Sequence, residues 1–249
     1  MKNLGLIGYP LTHSFSEKYF GDKFLQEGIS GFEYRNYAIR QIRDLGKLIR
    51  EEPGLIGLNV TIPYKEQVIP FLADLDETAR QVEAVNTILI EREGDTVTMT
   101  GYNTDVYGFL NSLKPFLDPA HSHALILGTG GASKAVGHVL KQLGISGQFV
   151  SRKPAAGQLH YNDICLSIIK KNKLIINTTP LGTNPDTSSF PDIPYDLVSS
   201  EHILYDLVYN PAETEFLKLG KNKGATTING LRMLELQAEA SWRIWTGQE

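Results

Sequence analysis

A glycine-rich turn between an apolar strand pattern and a helix pattern constrains the fold of this chain more than any other feature. The turn reads Gly128-Thr129-Gly130-Gly131-Ala132, and the strand pattern before it covers residues 124–127. The first glycine suits a tight turn, and the next two let backbone N–H groups approach a pyrophosphate at the positive end of the helix dipole. A second strand pattern, Gln148-Phe149-Val150, follows about 20 residues later, at the spacing of a βαβ nucleotide-binding unit. The pattern predicts a dinucleotide-binding domain.

The residues after the second strand indicate which dinucleotide binds. An acidic residue there would hydrogen-bond the ribose 2′-hydroxyl of NAD, whereas this chain has Ser151-Arg152-Lys153. A hydroxyl and two cations suit a 2′-phosphate, so we expect NADP(H) as the cofactor and these three residues at its phosphate. The other interpretation is that Arg152 and Lys153 are ordinary solvated loop charges.

Composition excludes several classes of partner. The chain has 249 residues, 41% of them hydrophobic and 21% charged, which is typical of a globular protein of one large or two ordinary domains. Its net charge of −4 gives no basic field for nucleic acid or anionic lipid, so neither is expected as a partner. The single cysteine, Cys165, excludes an intramolecular disulfide. Without an apolar stretch of about 20 residues or an apolar leader pattern, we expect a cytoplasmic protein that does not enter membranes.

Strand and helix patterns alternate along the chain. In the first half, strands are predicted at residues 4–8, 32–38 and 55–62, helices at 17–27, 39–52, 64–72 and 78–85, and a hairpin at 87–91 and 96–100. The second half continues with strands at residues 174–176, 203–206 and 226–228. Such alternation predicts an α/β fold with mostly parallel sheets.

Two segments bear on domain organisation. A helix pattern at residues 104–117, followed by a polar loop at 118–123, indicates a domain boundary near residue 104. The last segment, residues 231–245, is an amphipathic helix pattern with apolar residues spaced by three and four positions. The pattern alone leaves open whether this helix closes the nucleotide domain or folds back on the first domain.

Lys65 is the candidate for proton chemistry in the first half. In Asn59-Val60-Thr61-Ile62-Pro63-Tyr64-Lys65, a strand leads into a helix with proline expected at the first helical position. A cation in the first helical turn opposes the helix dipole at a cost of a few tenths to about 1 kcal/mol. Such a position suits a group that exchanges a proton with a substrate oxygen. A solvated surface lysine is the other interpretation.

Two further polar segments precede helix patterns. In Gly101-Tyr102-Asn103-Thr104-Asp105, Asn103 or Thr104 can cap the helix and Asp105 is a favourable first-turn acid. In His13-Ser14-Phe15-Ser16-Glu17, the first serine and the glutamate form a capping box. That box does not account for Ser16, and two hydroxyls at a helix start can also hold a substrate carboxylate.

Five motifs occur in an order that resembles the shikimate dehydrogenase family. They are Gly8-Tyr9-Pro10 with His13-Ser14-Phe15-Ser16, Asn59-Val60-Thr61-Ile62-Pro63-Tyr64-Lys65, Ala84-Val85-Asn86-Thr87, Gly101-Tyr102-Asn103-Thr104-Asp105 and Gly128-x-Gly130-Gly131-Ala132. The segments Asn177-Thr178-Thr179-Pro180-Leu181-Gly182, Asp206-Leu207-Val208-Tyr209-Asn210-Pro211 and Gly230-Leu231-Arg232-Met233-Leu234 with Gln237 extend the resemblance over nearly the whole chain.

The resemblance implies a reaction and a domain organisation. The reaction is the reversible NADPH-linked reduction of 3-dehydroshikimate to shikimate, on the route to chorismate and the aromatic amino acids. Two α/β domains are implied, with residues 1–104 and 230–249 as the substrate-binding catalytic domain and residues 105–229 as a Rossmann-like NADP-binding domain. The C-terminal helix would then pack back on the first domain. We expect a monomer or homodimer with a small-molecule substrate and no metal.

The resemblance also implies roles for individual residues. Lys65 and Asp105 would form the catalytic pair. The substrate-binding residues would be Ser14, Ser16, Asn59, Thr61, Asn86, Tyr209 and Gln237, with the two serines at the carboxylate. The cofactor-binding residues would be Gly128, Thr129, Gly130, Gly131, Ala132, Ser151, Arg152, Lys153, Thr178, Leu207 and Gly230.

This chain departs from the family pattern at three places. Glu17 replaces a common proline and could repel a bound carboxylate unless it turns back into its capping box. The stretch between residues 151 and 177 is shorter than usual, which predicts a truncated crossover helix. Arg232 replaces a residue that is often small, and nothing in the sequence explains it. The alternatives are a quinate/shikimate dehydrogenase, dual use of NAD, and a non-catalytic protein that senses shikimate or NADP.

Overall fold

The structure is a computed structural model that describes residues 1–11 and 15–248. In this structure the chain passes from one compact unit to a second and then returns to the first. The first unit comprises Met1–Thr104 and Ala238–Glu249, and the second comprises Asp105–Gln237. The second unit is therefore inserted between two segments of the first. The first crossing lies between Thr104 and Asp105, and the return lies within the final helix, between Gln237 and Ala238.

Six strands form one mixed sheet in the first unit. They are β1 (Lys2–Gly8), β2 (Phe32–Ala38), β3 (Leu55–Val60), β4 (Asp74–Leu75), β5 (Thr87–Glu93) and β6 (Thr96–Tyr102). Their order across the sheet is β2-β1-β3-β5-β6-β4. Strands β2, β1 and β3 are parallel, β5 and β6 form the expected antiparallel hairpin, and β4 is parallel to β6.

Most helices of this unit are shorter than their sequence patterns indicate. They are α1 (Phe15–Gln26), α2 (Leu45–Glu51), α3 (Tyr64–Gln67) and α4 (Glu77–Val82), with short 3-10 helices at Ile42–Asp44 and Ile69–Phe71. The predicted helix over residues 64–72 is wrong beyond Gln67, because Pro70 has no N–H to continue the hydrogen bonds and disfavours helical backbone at the preceding residue. The predicted helix over residues 39–52 is also too long, since Gln41 is extended at φ −141°.

Apolar residues on the two faces of the first sheet enter two cores. Leu4 and Leu6 belong to the core that contains Phe20 of α1, whereas Ile7 belongs to the core that contains Leu58 and Val60. This division follows from the alternation of side chains along β1. The sheet is covered on both faces, which explains why β1 and β3 are almost continuously apolar.

The second unit contains a fully parallel sheet. Its strands are β7 (His123–Leu127), β8 (Ser146–Ser151), β9 (Leu159–His160), β10 (Leu174–Asn177), β11 (Ile203–Asp206) and β12 (Thr226–Ile228). They lie in the order β12-β11-β10-β7-β8-β9. Every pairing between neighbouring strands is parallel. The order changes direction at β7, which carries the glycine turn, and such a switch point is where open α/β sheets bind ligands.

Five helices accompany this sheet along the chain. They are α5 (Thr104–Leu113), α6 (Gly131–Gln142), α7 (Leu166–Lys171), α8 (Glu215–Lys221) and α9 (Leu231–Thr246), with 3-10 helices at Lys114–Phe116, Tyr161–Asp163 and Tyr195–Leu197. The predicted helix over residues 104–117 is wrong beyond Leu113, where Pro115 tightens the last turn. The α-helix in the crossover between β8 and β10 is α7, which has six residues, in line with the truncated helix expected from the length of this stretch.

Helix α9 contributes to both units. Ala238, Trp242 and Trp245 are buried in the core with Leu4 and Phe20, in the first unit. The earlier turns of α9, up to Gln237, belong to the second unit. The expected α/β architecture, with a C-terminal helix that packs back on the first sheet, is confirmed. No helix among the described residues has the length and apolar character that crossing a membrane requires.

Candidate active site

Backbone hydrogen bonds join three of the polar motifs in the first unit. Val60 N–H donates to Asn86 O at 2.8 Å, and Asn86 N–H donates to Tyr102 O at 3.0 Å. Val85 N–H donates to Lys65 O at 2.7 Å. The motifs that start at residues 59, 84 and 101 therefore lie side by side at one edge of the first sheet, although they are far apart in sequence.

Buried side chains of these motifs form a hydroxyl–amide cluster with the final helix. Its members are Asn59, Asn86, Thr87, Thr104 and Ser241, all buried. Thr104 holds the amide of Asn86, because its N–H donates to Asn86 Oδ1 at 2.7 Å and its Oγ1 accepts from Asn86 Nδ2 at 2.9 Å. The Ser241 hydroxyl lies 2.7 Å from Thr87 Oγ1 and 3.1 Å from Thr104 Oγ1. The cluster fixes the orientation of the Asn86 amide.

Asn59 connects the hydroxyl–amide cluster to Tyr34. Its Nδ2 donates to Ser241 Oγ at 3.1 Å and to Thr87 Oγ1 at 3.3 Å. Its Oδ1 accepts from the Tyr34 hydroxyl at 2.8 Å. Burial raises the pKa of Tyr34 far above its ordinary value, against the opposing effect of a hydrogen bond with Ser16, so the phenol stays protonated and can donate. Ser16 is thereby linked to Asn59 through Tyr34.

The structure describes one of the two serines that were predicted to bind the substrate carboxylate. Ser16 is buried near the start of α1. Ser14 lies outside the described residues, and so does the capping box predicted for it. Glu17, the departure from the family pattern, accepts a hydrogen bond from Asn36 Nδ2 of β2 at 2.6 Å. This bond ties the Glu17 carboxylate to the neighbouring strand.

Thr61 and Lys65 both follow the end of β3 in the chain. Thr61 N–H donates to Ile7 O, and a Cβ on Gly8 would lie 2.5 Å from the Thr61 methyl group, so the ends of β1 and β3 approach closely. Lys65 is half-buried in α3, which has four residues and begins at Tyr64 after Pro63 rather than at the proline. The expected dipole effect on Lys65 is therefore overstated, because one helical turn carries a small part of a full helix dipole.

The backbone at Gly128 lies close to the Thr178 side chain in the second unit. Its φ of +115° is in the region that favours glycine, and a Cβ there would lie 2.7 Å from Thr178 Oγ1. Thr178 is held in place because its N–H and its hydroxyl both donate to Leu127 O, at 2.9 and 2.7 Å. The structure thus brings together two residues predicted to bind the cofactor.

The remaining residues of the glycine turn leave open space before α6. The twelve-residue helix begins at Gly131, with Gly130 as its N-cap, and a Cβ on Gly130 would meet nothing within 4 Å. Thr129 and Gly130 are exposed, while Gly131 and Ala132 are half-buried. First-turn N–H groups have no partner within a helix, so this end can accept an anion. The residues present therefore fit a dinucleotide pyrophosphate.

Leu207 and Gly230 also lie together. Gly230 N–H donates to Val208 O at 3.1 Å, and a Cβ on Gly230 would overlap the carbonyl oxygen of Leu207. Tyr209, two residues beyond Leu207, is half-buried, and burial raises the pKa of its phenol. The close approach of Leu207 O to Gly230 requires glycine at position 230.

A buried carboxylate supports this edge of the second sheet. Asp206 Oδ1 accepts from Asn177 Nδ2 at 2.9 Å and from Val208 N–H at 3.0 Å, and Oδ2 accepts from the Thr214 hydroxyl at 2.6 Å. Burial raises the pKa of Asp206 to about 6, although each of these hydrogen bonds opposes the shift. Asp206 thus joins the end of β10 to the loop that carries Leu207 and Tyr209.

The three residues predicted for the 2′-phosphate follow β8. Ser151 is the last residue of that strand, and its hydroxyl accepts from Lys153 N–H at 3.2 Å. Arg152 and Lys153 are both exposed. In this position the two cations are accessible to an anion.

Asp105 and Gln237 lie on helices that pack closely within the second unit. A Cβ on Gly108 of α5 would lie 2.5 Å from Met233 O and 3.1 Å from Gln237 Cβ, both of α9. Asp105 is one turn before Gly108, and both Asp105 and Gln237 are only 6% exposed. Gln237 Nε2 donates to Leu234 O at 2.9 Å.

Sequence reasoning missed four residues that support these sites. They are Thr87, Thr104, Asp206 and Ser241. Ser241 follows Gln237 by four positions, so both lie on one face of α9, and this spacing is a signal that the sequence offered. Among residues 1–11 and 15–248, no group of three or more His, Cys, Asp or Glu side chains is placed to hold a metal ion.

Known proteins resemble this chain in sequence over nearly its whole length. Residues 6–88 match the family model described as the shikimate dehydrogenase substrate binding domain. The chain is 35% identical to the shikimate dehydrogenase (NADP(+)) of Methanococcus vannielii, in an alignment that covers 98% of this chain and 91% of that protein.

Solved structures resemble it in fold. Shikimate 5-dehydrogenase from Thermus thermophilus, in complex with NADP(H) and shikimate, is 31% identical with a TM-score of 0.86, over 99% of this chain and 94% of that chain. Quinate dehydrogenase from Corynebacterium glutamicum, in complex with NAD, is 29% identical with a TM-score of 0.84 over the same shares of the two chains. Sequence identity above 30% to relatives aligned along almost the entire chain, together with the site geometry, shows that this chain belongs to the shikimate dehydrogenase family.

Proposed function

We propose that this chain catalyses the reversible, NADPH-dependent reduction of 3-dehydroshikimate to shikimate. The observation that carries the proposal is the clustering of the three motifs at one edge of the first sheet, where backbone hydrogen bonds join Lys65 to Val85 and Asn86 to both Val60 and Tyr102. Curated relatives that carry the name shikimate dehydrogenase (NADP(+)) support it. The first unit serves as the substrate-binding catalytic domain, and the second serves as the NADP-binding domain.

The proton chemistry is assigned to Lys65 and Asp105. When bound, NADPH supplies the hydride that reduces the ring carbonyl carbon. The Lys65 ammonium stabilises the negative charge that develops on the carbonyl oxygen and gives that oxygen a proton, which yields the hydroxyl of shikimate. The Asp105 carboxylate orients the ammonium and the reacting hydroxyl. In the oxidative direction, neutral Lys65 takes the same proton back.

Substrate recognition is assigned to polar side chains. Ser16, together with Ser14, binds the substrate carboxylate, and Thr61, Asn86 and Gln237 bind ring hydroxyls. Asn59 supports this set from behind, since its amide is hydrogen-bonded to Tyr34, Thr87 and Ser241. Tyr209 is also assigned to the substrate-binding set. Buried polar groups that are already paired need little reorganisation when a ligand binds.

Cofactor recognition is assigned to the second unit. The open N-terminus of α6, with Gly128 to Ala132, binds the pyrophosphate, and Thr178, Leu207 and Gly230 line the approach of the nicotinamide half. Ser151, Arg152 and Lys153 bind the 2′-phosphate, which favours NADP over NAD.

An absorbance assay tests the function and separates it from its alternatives. Purified protein is mixed with shikimate and NADP, and growth of the near-ultraviolet band of NADPH reports turnover. Parallel cuvettes contain quinate in place of shikimate and NAD in place of NADP. We expect rapid growth with shikimate and NADP. Faster turnover of quinate would favour the quinate/shikimate dehydrogenase, and folded protein that is inactive in every cuvette would favour a non-catalytic sensor.

A further inference from the structure

The hydroxyl of Ser241 connects parts of the first unit that are remote in sequence. Ser241 belongs to α9 and has no exposed surface. Its Oγ lies within 3.1 Å of Asn59 Nδ2, Thr87 Oγ1 and Thr104 Oγ1. These partners stand 182, 154 and 137 positions before it in the chain. A single hydroxyl of the last helix thus contacts the end of β3, the start of β5 and the start of α5.

The Ser241 hydroxyl can both accept and donate hydrogen bonds within this set of partners. A serine hydroxyl has one proton to donate and two lone pairs to accept with. The amide nitrogen of Asn59 can only donate, so it takes one lone pair of Ser241. One threonine hydroxyl can then donate to Ser241 and the other can accept from it. The proton directions in the hydroxyl–amide cluster are therefore coupled through Ser241.

Thr104 passes this constraint on to Asn86. Asn86 Nδ2 donates to Thr104 Oγ1, so the Thr104 hydroxyl must turn its own proton elsewhere. Ser241 Oγ, at 3.1 Å, is an acceptor for that proton, and Asn86 Oδ1, at 3.2 Å, and Thr87 Oγ1, at 3.3 Å, compete with it. With Ser241 present, the Thr104 proton has a partner outside the amide that Thr104 holds. Without it, the Thr104 hydroxyl can turn toward Asn86 Oδ1 and lose its acceptor geometry toward Nδ2.

We propose that Ser241 is a positioning residue, which fixes the Asn86 amide in the orientation that binds a ring hydroxyl of shikimate. This inference rests on the proposed function, because Asn86 is the group that meets the substrate. Ser241 has no exposed surface and contacts Thr104 and Thr87, so it acts through them and not by contact with the substrate. A purely structural role would lower the amount of folded protein and leave the affinity of the folded fraction for shikimate unchanged.

The test compares Ser241→Ala with Thr246→Val. Both remove one hydroxyl from α9, but the Thr246 hydroxyl donates to Trp242 O within the helix and has no part in the hydroxyl–amide cluster. In Ser241→Ala we expect KM for shikimate to rise about 10-fold, which corresponds to one misplaced hydrogen bond. KM for NADP should change less than about 2-fold in both variants. Ser241→Thr, which keeps the hydroxyl, should restore KM for shikimate.

A second measurement asks whether Ser241 works through Asn86. In the Asn86→Ala background, Ser241→Ala should raise KM for shikimate by less than about 2-fold, because the amide that it positions is already gone. If Ser241→Ala does not fold, Ser241→Cys, which keeps the volume and weakens the hydrogen bonds, should show the same selective rise. An unchanged KM in the folded variant, or an equal rise in both backgrounds, overturns the positioning role. Absence of turnover by the unaltered protein would instead contradict the proposed function.

Discussion

The two units build their candidate sites in opposite ways. In the first unit, the site consists of side chains that hold one another, as Thr104 holds the Asn86 amide at 2.7 and 2.9 Å. In the second unit, the proposed cofactor-binding edge depends on glycines, at which any side chain would clash. A Cβ on Gly128 would lie 2.7 Å from Thr178 Oγ1, and a Cβ on Gly230 would overlap Leu207 O.

This difference follows from what each unit is proposed to recognise. A small polyhydroxylated acid is distinguished by the positions of its oxygen atoms, which requires fixed donors and acceptors on side chains. A pyrophosphate is recognised by its charge, and backbone N–H groups at a helix start supply the donors once nothing blocks them. Side-chain deletions should therefore damage the first unit, whereas side-chain additions should damage the second.

The largest expected effect is the loss of the proton donor in the first unit. Lys65→Ala should lower kcat on the order of 10²- to 10⁴-fold, the usual contribution of a positioned general acid–base group. Binding of shikimate should persist, since Lys65 is one of several contacts, and calorimetric titration of the variant checks this. Nearly unchanged turnover would remove Lys65 from its role.

A second prediction concerns the buried side-chain network of the second unit. The pKa of Asp206 is raised to about 6 from an ordinary 3.8, so the folded protein keeps a proton that the unfolded chain has lost between these values. The stability that this proton supplies is fully present below the lower value and is lost as the pH rises through 6, by about 3 kcal/mol. In Asp206→Asn this loss should disappear, because an amide does not titrate.

Urea unfolding at several pH values measures this effect as the difference between the unaltered protein and Asp206→Asn. Asp196→Asn is the matched control. Asp196 is exposed and paired with Lys223, which lowers the pKa of its carboxyl, so its replacement should not reproduce the loss between the two pKa values of Asp206. A difference between the unaltered protein and Asp206→Asn that does not vary with pH would show that Asp206 does not titrate in this range.

A third prediction adds a side chain where the second unit has none. Gly130 has φ −84°, which alanine tolerates, and open space around its Cβ position, so Gly130→Ala should cost less than about 1 kcal/mol of stability. The methyl group would occupy open space at the proposed pyrophosphate site, and KM for NADP should rise about 10-fold or more. Gly21→Ala, at another glycine with nothing within 4 Å, should leave KM for NADP unchanged.

The smallest expected effect concerns the exposed cations after β8. Arg152→Ala should raise KM for NADPH about 5-fold and KM for NADH less than 2-fold, because an exposed charge–phosphate contact is worth roughly 1 kcal/mol. Lys141→Ala removes the same charge elsewhere in the second unit and should affect neither cofactor. Equal changes for NADPH and NADH in Arg152→Ala would exclude Arg152 from the 2′-phosphate site.

The second unit was the easier one to predict from sequence. The strand, glycine turn and helix around Gly128 are contiguous, and their chemistry is local to a few residues. The two helices that were predicted to run past a proline, Pro70 or Pro115, both end before it, and the missing N–H of each proline is visible in the sequence. These errors came from giving apolar periodicity more weight than backbone hydrogen bonding.

The hydroxyl–amide cluster could not be predicted in the same way. Its contacts join residues up to 182 positions apart, and the pairing of Ser241 with Asn59 depends on how α9 packs on the first sheet. Sequence pattern left the destination of α9 open, so the partners of Ser241 were undetermined. Asn59 illustrates the limit, because the sequence marked it as polar and important but did not reveal that Tyr34 and Ser241 surround it.

The insertion of one unit into the other has a consequence for synthesis on the ribosome. All strands of both sheets have been made before residues 238–249 emerge, yet Trp242 and Trp245 belong to the core of the first sheet. A nascent first unit therefore exposes the apolar surface around Phe20 until these residues emerge, while the second unit already has its whole sheet. The core of the first unit can therefore be completed only after the strands of the second unit have been made, although the amino-terminal part of a chain usually folds first.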